Sequence, residues 1–258
     1  MKDFKITEED LLHIFATKDE NRAKNRRYLF YLLLFFSLSI ISYVAVNFSA
    51  LYQSLSYWYM SDFQAQTKYS EYYPETIVNI QTTEDTKKVN KLLPDISENT
   101  LFVPKIDVSS PIKWQTNVDE KEVQKALQDG VVHLNGTALP GQNGNVFITG
   151  HSSNYPWSKG SYKNIFALLN KLVIGDLVYL NYNNAVYVYK TEKIITVKPS
   201  EIWVTGSNGT PQLSLMTCSP VGTSINRLII RATQIYPDIS KNTTFKGGET
   251  VSIPNGTR

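Results

Sequence analysis

Apolar and polar positions follow three successive patterns along the chain: a polar start, one long apolar segment, and later short apolar runs between turn residues. The apolar segment from Tyr28 to Val46 contains 19 residues and no charge. A helix of this length is about 28 Å long at roughly 1.5 Å per residue, enough to cross the hydrocarbon core of a bilayer. The pattern therefore predicts one N-terminal transmembrane helix, over residues 28–47.

The charges that flank this segment predict its orientation. Basic residues directly precede it, whereas the first charged residue after it is Asp62. Positive charge is retained on the cytoplasmic side, so we expect the N-terminus inside and the residues beyond about 50 outside. A cleaved signal peptide is the competing interpretation, but its apolar region usually has about 7–15 residues and ends in a small-x-small site. This segment is longer and no clean site follows it, which favours a retained membrane anchor.

From about Thr100 onward, short runs of β-branched and aromatic residues alternate with turn signals such as Asn143-Gly144. One segment, from Tyr162 to Leu172, has apolar residues at helical spacing instead and predicts a short helix. Many short strands with few helices predict a mainly β fold, a closed or nearly closed barrel in a single domain. The strand-like runs lie at 101–104, 146–148, 177–180, 186–189, 194–197, 213–216 and 228–230.

These patterns divide the chain into four parts. We expect a cytoplasmic segment at 1–27, the anchor at 28–47, an extracytoplasmic stalk at 48–98 and the β-barrel domain at 99–258. The formal net charge is +3, and no Lys/Arg block interleaved with aromatics follows the anchor, which argues against a nucleic-acid partner. With one cysteine the chain forms no intramolecular disulfide, so the thiol is either inert and buried or reactive.

Three residues of the β-rich part have the chemistry for acyl transfer. His151 follows the strand-like run VFITG, Cys218 ends QLSLMTC, and Arg227 opens RLIIRATQI. If the last two runs pair as antiparallel neighbours, Cys218 and Arg227 lie side by side at one rim of the barrel. A thiol there can attack a carbonyl, a cation can support the oxyanion, and an imidazole can protonate the departing amine.

Each of these residues also has an ordinary structural interpretation. Cys218 can be a small core residue, His151 a turn residue bonded to the backbone, and Arg227 an exposed charge at a strand end. Of the other two histidines, His13 lies in the predicted cytoplasmic segment, and we expect His133 to be structural. The residues by themselves leave both interpretations open.

Several linked blocks resemble the sortase family. SLMTC at 214–218, with an arginine nine positions on, resembles the TLxTC…R signature of sortases, with Ser214 where the family usually has Thr. The block GVVHLNGTALPGQNGNVFITGH at 130–151 is similar to the one that leads to the sortase histidine. LFVPKIDVSSPI at 101–112 resembles the first strand of the domain, and 164–178 the helix and strand after the histidine. The resemblance covers roughly residues 99–236.

The resemblance implies a closed barrel of about eight strands with short helices, and a membrane-anchored cysteine transpeptidase. Cys218 would form a thioester with an LPxTG-like C-terminal sorting signal of a surface protein. His151 would move the proton, and Arg227 would hold the substrate or the oxyanion, with Thr217 shaping the oxyanion site. An amine of peptidoglycan or its precursor would then take the protein.

The resemblance also implies that the loop at 198–210 recognises the sorting peptide, so we expect Trp203, Asn208 and Ser219 to contact substrate. No cofactor is required for this chemistry. Some sortases use calcium, but no Asp/Glu cluster here reads as an EF-hand-type loop. The absence of an Asp-Pro-aromatic lid motif and of a second membrane segment favours a housekeeping or class E-like enzyme over a pilin polymerase.

Two alternatives come from other classes. An L,D-transpeptidase-like wall enzyme would also be an extracytoplasmic Cys/His/Arg protein, but it would carry a compact SHGCxR-like cluster, whereas His151 and Cys218 are 218 − 151 = 67 positions apart. The other alternative is a membrane-anchored, sortase-like binding module with an inactive thiol. Labelling of Cys218 in the folded protein separates this module from an enzyme.

Overall fold

A computed structural model of the chain describes residues 8–60, 93–247 and 250–253, while the side chains of 10–23, 49, 58 and 60 are not described. Most of the predicted stalk lies outside the described residues. The chain forms two compact units, Met1–Val46 and Asn47–Arg258.

The first unit consists of the greater part of helix α1, which runs from Glu8 to Met60. Among the described residues, Lys24–Phe48 is the one stretch long and apolar enough to cross a membrane. The Ser37 hydroxyl donates to the Leu34 carbonyl at 2.8 Å and the Ser39 hydroxyl to the Phe35 carbonyl at 2.9 Å. These bonds satisfy the hydroxyls inside the helix, so they do not oppose insertion in lipid.

The second unit is built on a closed eight-stranded barrel, which confirms the predicted fold class. The barrel strands are β1 (Thr100–Val103), β2 (Val108–Thr116), β3 (Val131–Leu134), β5 (Asn145–Thr149), β6 (Leu177–Tyr182), β7 (Ala185–Val197), β8 (Gln212–Ser219) and β9 (Asn226–Tyr236). Around the barrel the order is β1-β2-β3-β5-β8-β9-β7-β6, and β6 pairs with β1 to close it. Within the barrel, the pairs β2–β3 and β5–β8 are parallel and the others are antiparallel.

Smaller elements surround the barrel. Helix α2 (Glu120–Ala126) connects β2 to β3, and the Asp119 side chain caps it by accepting from the backbone N–H of Lys121 and Glu122. Strands β4 (Gln142–Asn143) and β10 (Thr243–Thr244) form a separate parallel pair. Short 3₁₀ helices lie at Pro104–Ile106, Leu169–Lys171, Ile202–Thr205 and Ile239–Lys241.

Strand β5 is buried on both faces, which explains its continuous apolar sequence. Val146 and Ile148 belong to the main core cluster, whereas Phe147 points the other way, into a second cluster that includes Val123 of α2. Because successive side chains of a strand alternate between its faces, the three central positions of a strand covered on both sides are all apolar. The polar residues of β5, Asn145 and Thr149, are buried at its two ends.

Two predicted elements differ from the structure. The segment from Tyr162 to Leu172 is not an α-helix: its backbone bonds join residues three apart, as from Leu169 N–H to the Phe166 carbonyl at 3.1 Å. Phe166, Leu169 and Leu172, every third residue, are buried, and this is the period of a 3₁₀ conformation. The runs at 186–189 and 194–197 are one strand, β7, because the polar residues between them continue to pair with β9; Glu192 and Lys193 are exposed, whereas Thr191 is buried.

Candidate active site

The parallel pairing of β5 and β8 brings His151 and Cys218 to the same end of the barrel. Thr149 of β5 pairs with Met216 of β8, and the N–H of Gly150 donates to the Met216 carbonyl at 3.1 Å. His151 and Cys218 each come two residues after this pair. Since parallel strands keep the same direction and the same side-chain alternation, both residues emerge at one rim.

The antiparallel pairing of β8 and β9 adds the third predicted residue. Cys218 is the direct partner of Arg227 in this ladder, as predicted from the sequence if the two runs were neighbours. Directly opposite residues in an antiparallel pair have Cβ atoms about 4.5–5.5 Å apart. The strand ends therefore hold the thiol and the guanidinium side by side.

His151, Cys218 and Arg227 line one narrow pocket together. Its remaining lining comes from the ends of β5 and β8, from Val123 and Gln124 of α2, and from Leu127 directly after that helix. Cys218 also borders a second cavity of about 330 Å³, together with Ser219 and Pro220. The residue thus lines two recesses, a narrow one with His151 and Arg227 and a wider one.

The backbone around His151 is tightly packed. Its carbonyl accepts from the Phe166 N–H at 2.9 Å, and a Cβ on the preceding Gly150 would lie 2.6 Å from the Phe166 ring. Glycine at 150 therefore allows Phe166 to pack against the end of β5. The imidazole is 8% exposed, and its Nε2 lies 3.3 Å from Nδ2 of Asn154 in the loop that follows.

Burial decides the protonation of the pocket. It lowers the pKa of His151 to about 4. It also raises the pKa of the Cys218 thiol above its ordinary value, an effect that Arg227 opposes and Glu120 reinforces. At pH 7 the site therefore holds a neutral imidazole and a protonated thiol.

Arg227 is nearly inaccessible, with 1% of its surface exposed. Its Nη1 donates to the Ser224 carbonyl at 3.0 Å and to the Asn226 carbonyl at 3.2 Å. Ser224 belongs to the short connection between β8 and β9, and Asn226 is the first residue of β9. These bonds fix the guanidinium beside Cys218, in a low-dielectric setting where a positive charge acts strongly on a developing negative one.

The four supporting residues predicted from the sequence have different positions. Thr217 is buried, and its hydroxyl donates to the Gly150 carbonyl at 2.9 Å, which ties the end of β8 to the residue before His151. Ser219 borders the wider cavity with Cys218. Trp203 and Asn208 are exposed on the loop between β7 and β8, and among the described residues they line neither of the two recesses.

The loop that carries Trp203 is anchored to the barrel by one buried and one partly buried polar side chain. The Asn145 amide donates to the carbonyls of Val204, Thr205 and Gly206 at 3.1, 3.2 and 3.2 Å. Arg231 also donates to the Val204 carbonyl. Because these donors stand on β5 and β9, the barrel itself sets the position of the loop.

Residues 47–60, at the C-terminal end of α1, contribute to the site in a way that the sequence did not indicate. Ser54 lines the wider cavity with Cys218, and Tyr57 packs against the main core cluster. Lys171 places its Nζ 5.9 Å from the centre of the Tyr57 ring. Asn47 and Ala50 are buried on the same helix. The predicted stalk thus begins with a helical segment packed against the barrel.

The residues that sequence reasoning missed carry weak local signals. Ser54 lies in a Tyr- and Ser-rich helix with no motif, Asn154 is one of several polar loop residues, and α2 has a single buried position, Val123. Among the described residues, no group of three or more His, Cys, Asp or Glu side chains is arranged to hold a metal ion.

The barrel with a Cys/His/Arg pocket at one rim defines a class of protein, and comparison with known sequences identifies it. The sequence model of the Sortase domain matches residues 101–235, which are 135 of the 258 residues. The chain belongs to the sortase family. Sortase D of Bacillus subtilis (strain 168) is 26% identical over 156 residues, which are 58% of this chain and 70% of that protein.

Solved structures of sortases resemble the chain as well. Sortase C of Streptococcus pneumoniae is 25% identical and covers 62% of this chain and 75% of its own, with a TM-score of 0.46. Sortase C from Clostridium perfringens SM101 is 28% identical and covers 62% of this chain and 94% of its own, with a TM-score of 0.43.

Proposed function

We propose that this sortase is a membrane-anchored cysteine transpeptidase, with Cys218 as nucleophile, His151 as acid and base, and Arg227 as the oxyanion-stabilising group. The observation that carries the proposal is the strand register, which brings these three side chains to one pocket. A metal-free acyl transfer needs a nucleophile, a proton carrier and a charge stabiliser within reach of one carbonyl.

The reaction begins from neutral partners. The Cys218 thiol gives its proton to His151 as its sulfur attacks the carbonyl carbon of the scissile peptide bond, and Arg227 stabilises the oxyanion. The imidazolium then protonates the departing amine, the C–N bond breaks, and a thioester remains on Cys218. An incoming amine gives its proton to His151 and attacks the thioester, which forms a new amide and restores the thiol.

The substrate is an LPxTG-like sorting signal of a surface protein, and the acceptor is an amine of peptidoglycan or its precursor. The proposed peptide site runs from the loop with Trp203 and Asn208 towards Ser219. Family membership and the anchoring of that loop by Asn145 and Arg231 support this assignment. The α1 span holds the enzyme in a bacterial cell membrane with its N-terminus inside and its barrel outside, as the basic residues before the span predict.

The test uses the full chain in detergent micelles with a small library of LPxTG-like peptides and an amine acceptor, followed by mass spectrometry. We expect one peptide bond to be cleaved, the new N-terminal fragment to be joined to the amine, and an adduct to be trapped on Cys218. Cys218→Ala is the control and should be inactive. If no peptide reacts and Cys218 also resists alkylation in the folded protein, the chain is an inactive binding module and the proposal fails.

A further inference from the structure

Asn154 is the one hydrogen-bond partner that the described residues offer to the imidazole of His151. It lies three positions after the histidine, in the loop that follows β5, and it is partly buried. Its Nδ2 is 3.3 Å from His151 Nε2. The proposed reaction does not itself require an amide beside His151, so the contact of Asn154 with this histidine has another role.

The other end of the Asn154 side chain determines which way the amide faces. Oδ1 accepts from the Tyr155 backbone N–H at 2.8 Å and from the Ser158 hydroxyl at 2.9 Å. A backbone N–H can only donate, so an oxygen and not an NH₂ group must stand at this end. The NH₂ group therefore faces His151, and it can only donate to Nε2.

We propose that Asn154 is a positioning residue, which holds the imidazole of His151 in the tautomer with its proton on Nδ1 and its lone pair on Nε2. The proposal deepens the proposed function and rests on it, since it matters for catalysis only if His151 is the acid and base. Asn154 contacts the ring of His151 and, among the described residues, has no hydrogen bond to Cys218. It acts through the histidine.

The tautomer has a chemical consequence for the resting site. Because Nδ1 already carries a proton, the thiol proton must go to Nε2, the nitrogen that accepts from Asn154. Once Nε2 is protonated, it and the NH₂ group of Asn154 are both donors and cannot bond to each other. The hydrogen bond between Asn154 and His151 must therefore break when the proton arrives. Asn154 thus stabilises the neutral imidazole and opposes the thiolate–imidazolium pair before substrate binds.

Burial and neighbouring charges act on the same equilibrium. Burial keeps the pKa of His151 at about 4, and the ionisable groups beside it are Cys218 on β8 and Arg227 on β9. Glu120 of α2 acts on the thiol from further away. None of these groups bonds to the ring in the described part of the chain, so orientation of the ring falls to Asn154.

The test compares the full chain in detergent micelles with Asn154→Ala, Asn154→Asp and the control Ser158→Ala. Ser158→Ala removes one donor to Oδ1 but leaves the contact with His151. The readouts are ¹⁵N NMR of labelled histidine, assigned with His151→Gln, and the rate of Cys218 alkylation by iodoacetamide against pH. Neither readout needs a peptide substrate.

In the wild type we expect unprotonated Nε2 and protonated Nδ1. Loss of the donor in Asn154→Ala raises the His151 pKa by about half to one unit. The carboxylate of Asn154→Asp raises it by about one to three units. Alkylation at neutral pH becomes about tenfold faster per unit of this shift. Turnover of an active peptide falls by about ten- to a hundredfold because the ring loses its orientation, whereas Ser158→Ala changes both readouts little.

A wild-type spectrum with the proton on Nε2, or an unchanged His151 titration in a folded Asn154→Asp, overturns the proposal. Failure of the proposed function looks different. In that case no peptide is turned over by the wild type, yet the tautomer and the titration of His151 still report on Asn154.

Discussion

His133 and His151 are both buried in the barrel, and burial lowers the pKa of each to about 4. Their surroundings differ. His133 has partners at both ring nitrogens: Nδ1 accepts from the Gln115 N–H at 3.2 Å, and Nε2 lies 2.8 Å from the Ala138 carbonyl. His151 has Asn154 at Nε2, and its ring lines the pocket with Cys218 and Arg227.

The comparison shows that a perturbed pKa does not by itself mark a functional histidine. The bonds of His133 fix its proton on Nε2, whereas the proposed role of Asn154 holds the His151 proton on Nδ1, so the same desolvation would act on opposite tautomers. What differs is the neighbour: His133 faces the Ala138 carbonyl in the core, whereas His151 shares a pocket with Cys218, the proposed nucleophile, at a strand end. Placement, and not the pKa, separates the structural histidine from the proposed proton carrier.

The largest expected effect is the loss of turnover in His151→Gln. Removal of a general acid and base lowers the rate of peptide-to-amine transfer by about 10²- to 10⁴-fold. The unfolding free energy should change little, because the ring is not part of the core hydrogen-bond network. Mass spectrometry of the joined product measures the rate. If His151→Gln keeps more than a tenth of the wild-type rate, His151 is not the proton carrier. Like His133, it would then have only a structural role.

His133→Ala should show the opposite behaviour. It removes a fully enclosed ring and leaves the Ala138 carbonyl without its donor, which together cost about 2–4 kcal/mol of unfolding free energy. Urea unfolding of the full chain in detergent micelles, followed by tryptophan fluorescence, measures the loss. The fraction that remains folded should transfer the peptide at nearly the wild-type rate. A strong loss of rate per folded molecule would instead assign His133 a part in catalysis.

Sequence patterns predicted the barrel well because strand signals are local. The apolar runs in β5, β8 and β9 follow from burial, and the order His, Cys, Arg with strand ends beside each residue already pointed to one rim. Strand patterns could not predict that Asn154 and Ser54 lie at the site. Their roles depend on contacts across loops and elements, to Nε2 of His151 and to the cavity beside Cys218. No spacing along the chain encodes those contacts.

The helix predicted around Phe166 shows a second limit. Its apolar spacing fits both an α-helix and a 3₁₀ conformation when the buried residues recur every three positions. Two contacts favour the 3₁₀ conformation over the α-helix: the packing of Phe166 against Gly150, and the hydrogen bond from the Phe166 N–H to the His151 carbonyl. Tertiary contacts of the site, and not local propensity, set the conformation.

Acid should destabilise the barrel through both histidines alike. The unfolded chain takes up a proton on each near pH 6.5, but the folded chain only near pH 4. Stability is therefore fully present above about pH 6.5 and falls as the pH drops towards 4. His133 accounts for about 3 kcal/mol of this loss. Urea unfolding at pH 7 and pH 4.5 should show a smaller drop for His133→Gln than for the wild type. An equal drop would mean that His133 titrates normally.

Filling the wider cavity should affect the thiol without touching either histidine. Ser54→Trp places a large side chain in the cavity of about 330 Å³ that Cys218 borders. We expect alkylation of Cys218 and peptide transfer to slow by about tenfold, as the approach to the sulfur becomes crowded. Leu55→Trp is the matched control, because Leu55 is exposed on the same helix. Equal rates in both variants would show that residues 47–60 do not form part of the site.

Thr217→Val should produce the smallest effect, and it tests what the threonine beside Cys218 does. Its hydroxyl donates to the Gly150 carbonyl and so ties the strand of Cys218 to that of His151. Loss of this bond costs about 1 kcal/mol of unfolding free energy, with a change in turnover of only a few-fold. If the hydroxyl instead donated to the oxyanion, turnover would fall by about 10²–10³-fold. Thr149→Val, which removes a longer bond of 3.4 Å to the Met216 carbonyl in the same strand pair, is the control. A large loss of turnover in Thr217→Val but not in Thr149→Val would show that Thr217 is part of the oxyanion hole and does more than hold the two strands together.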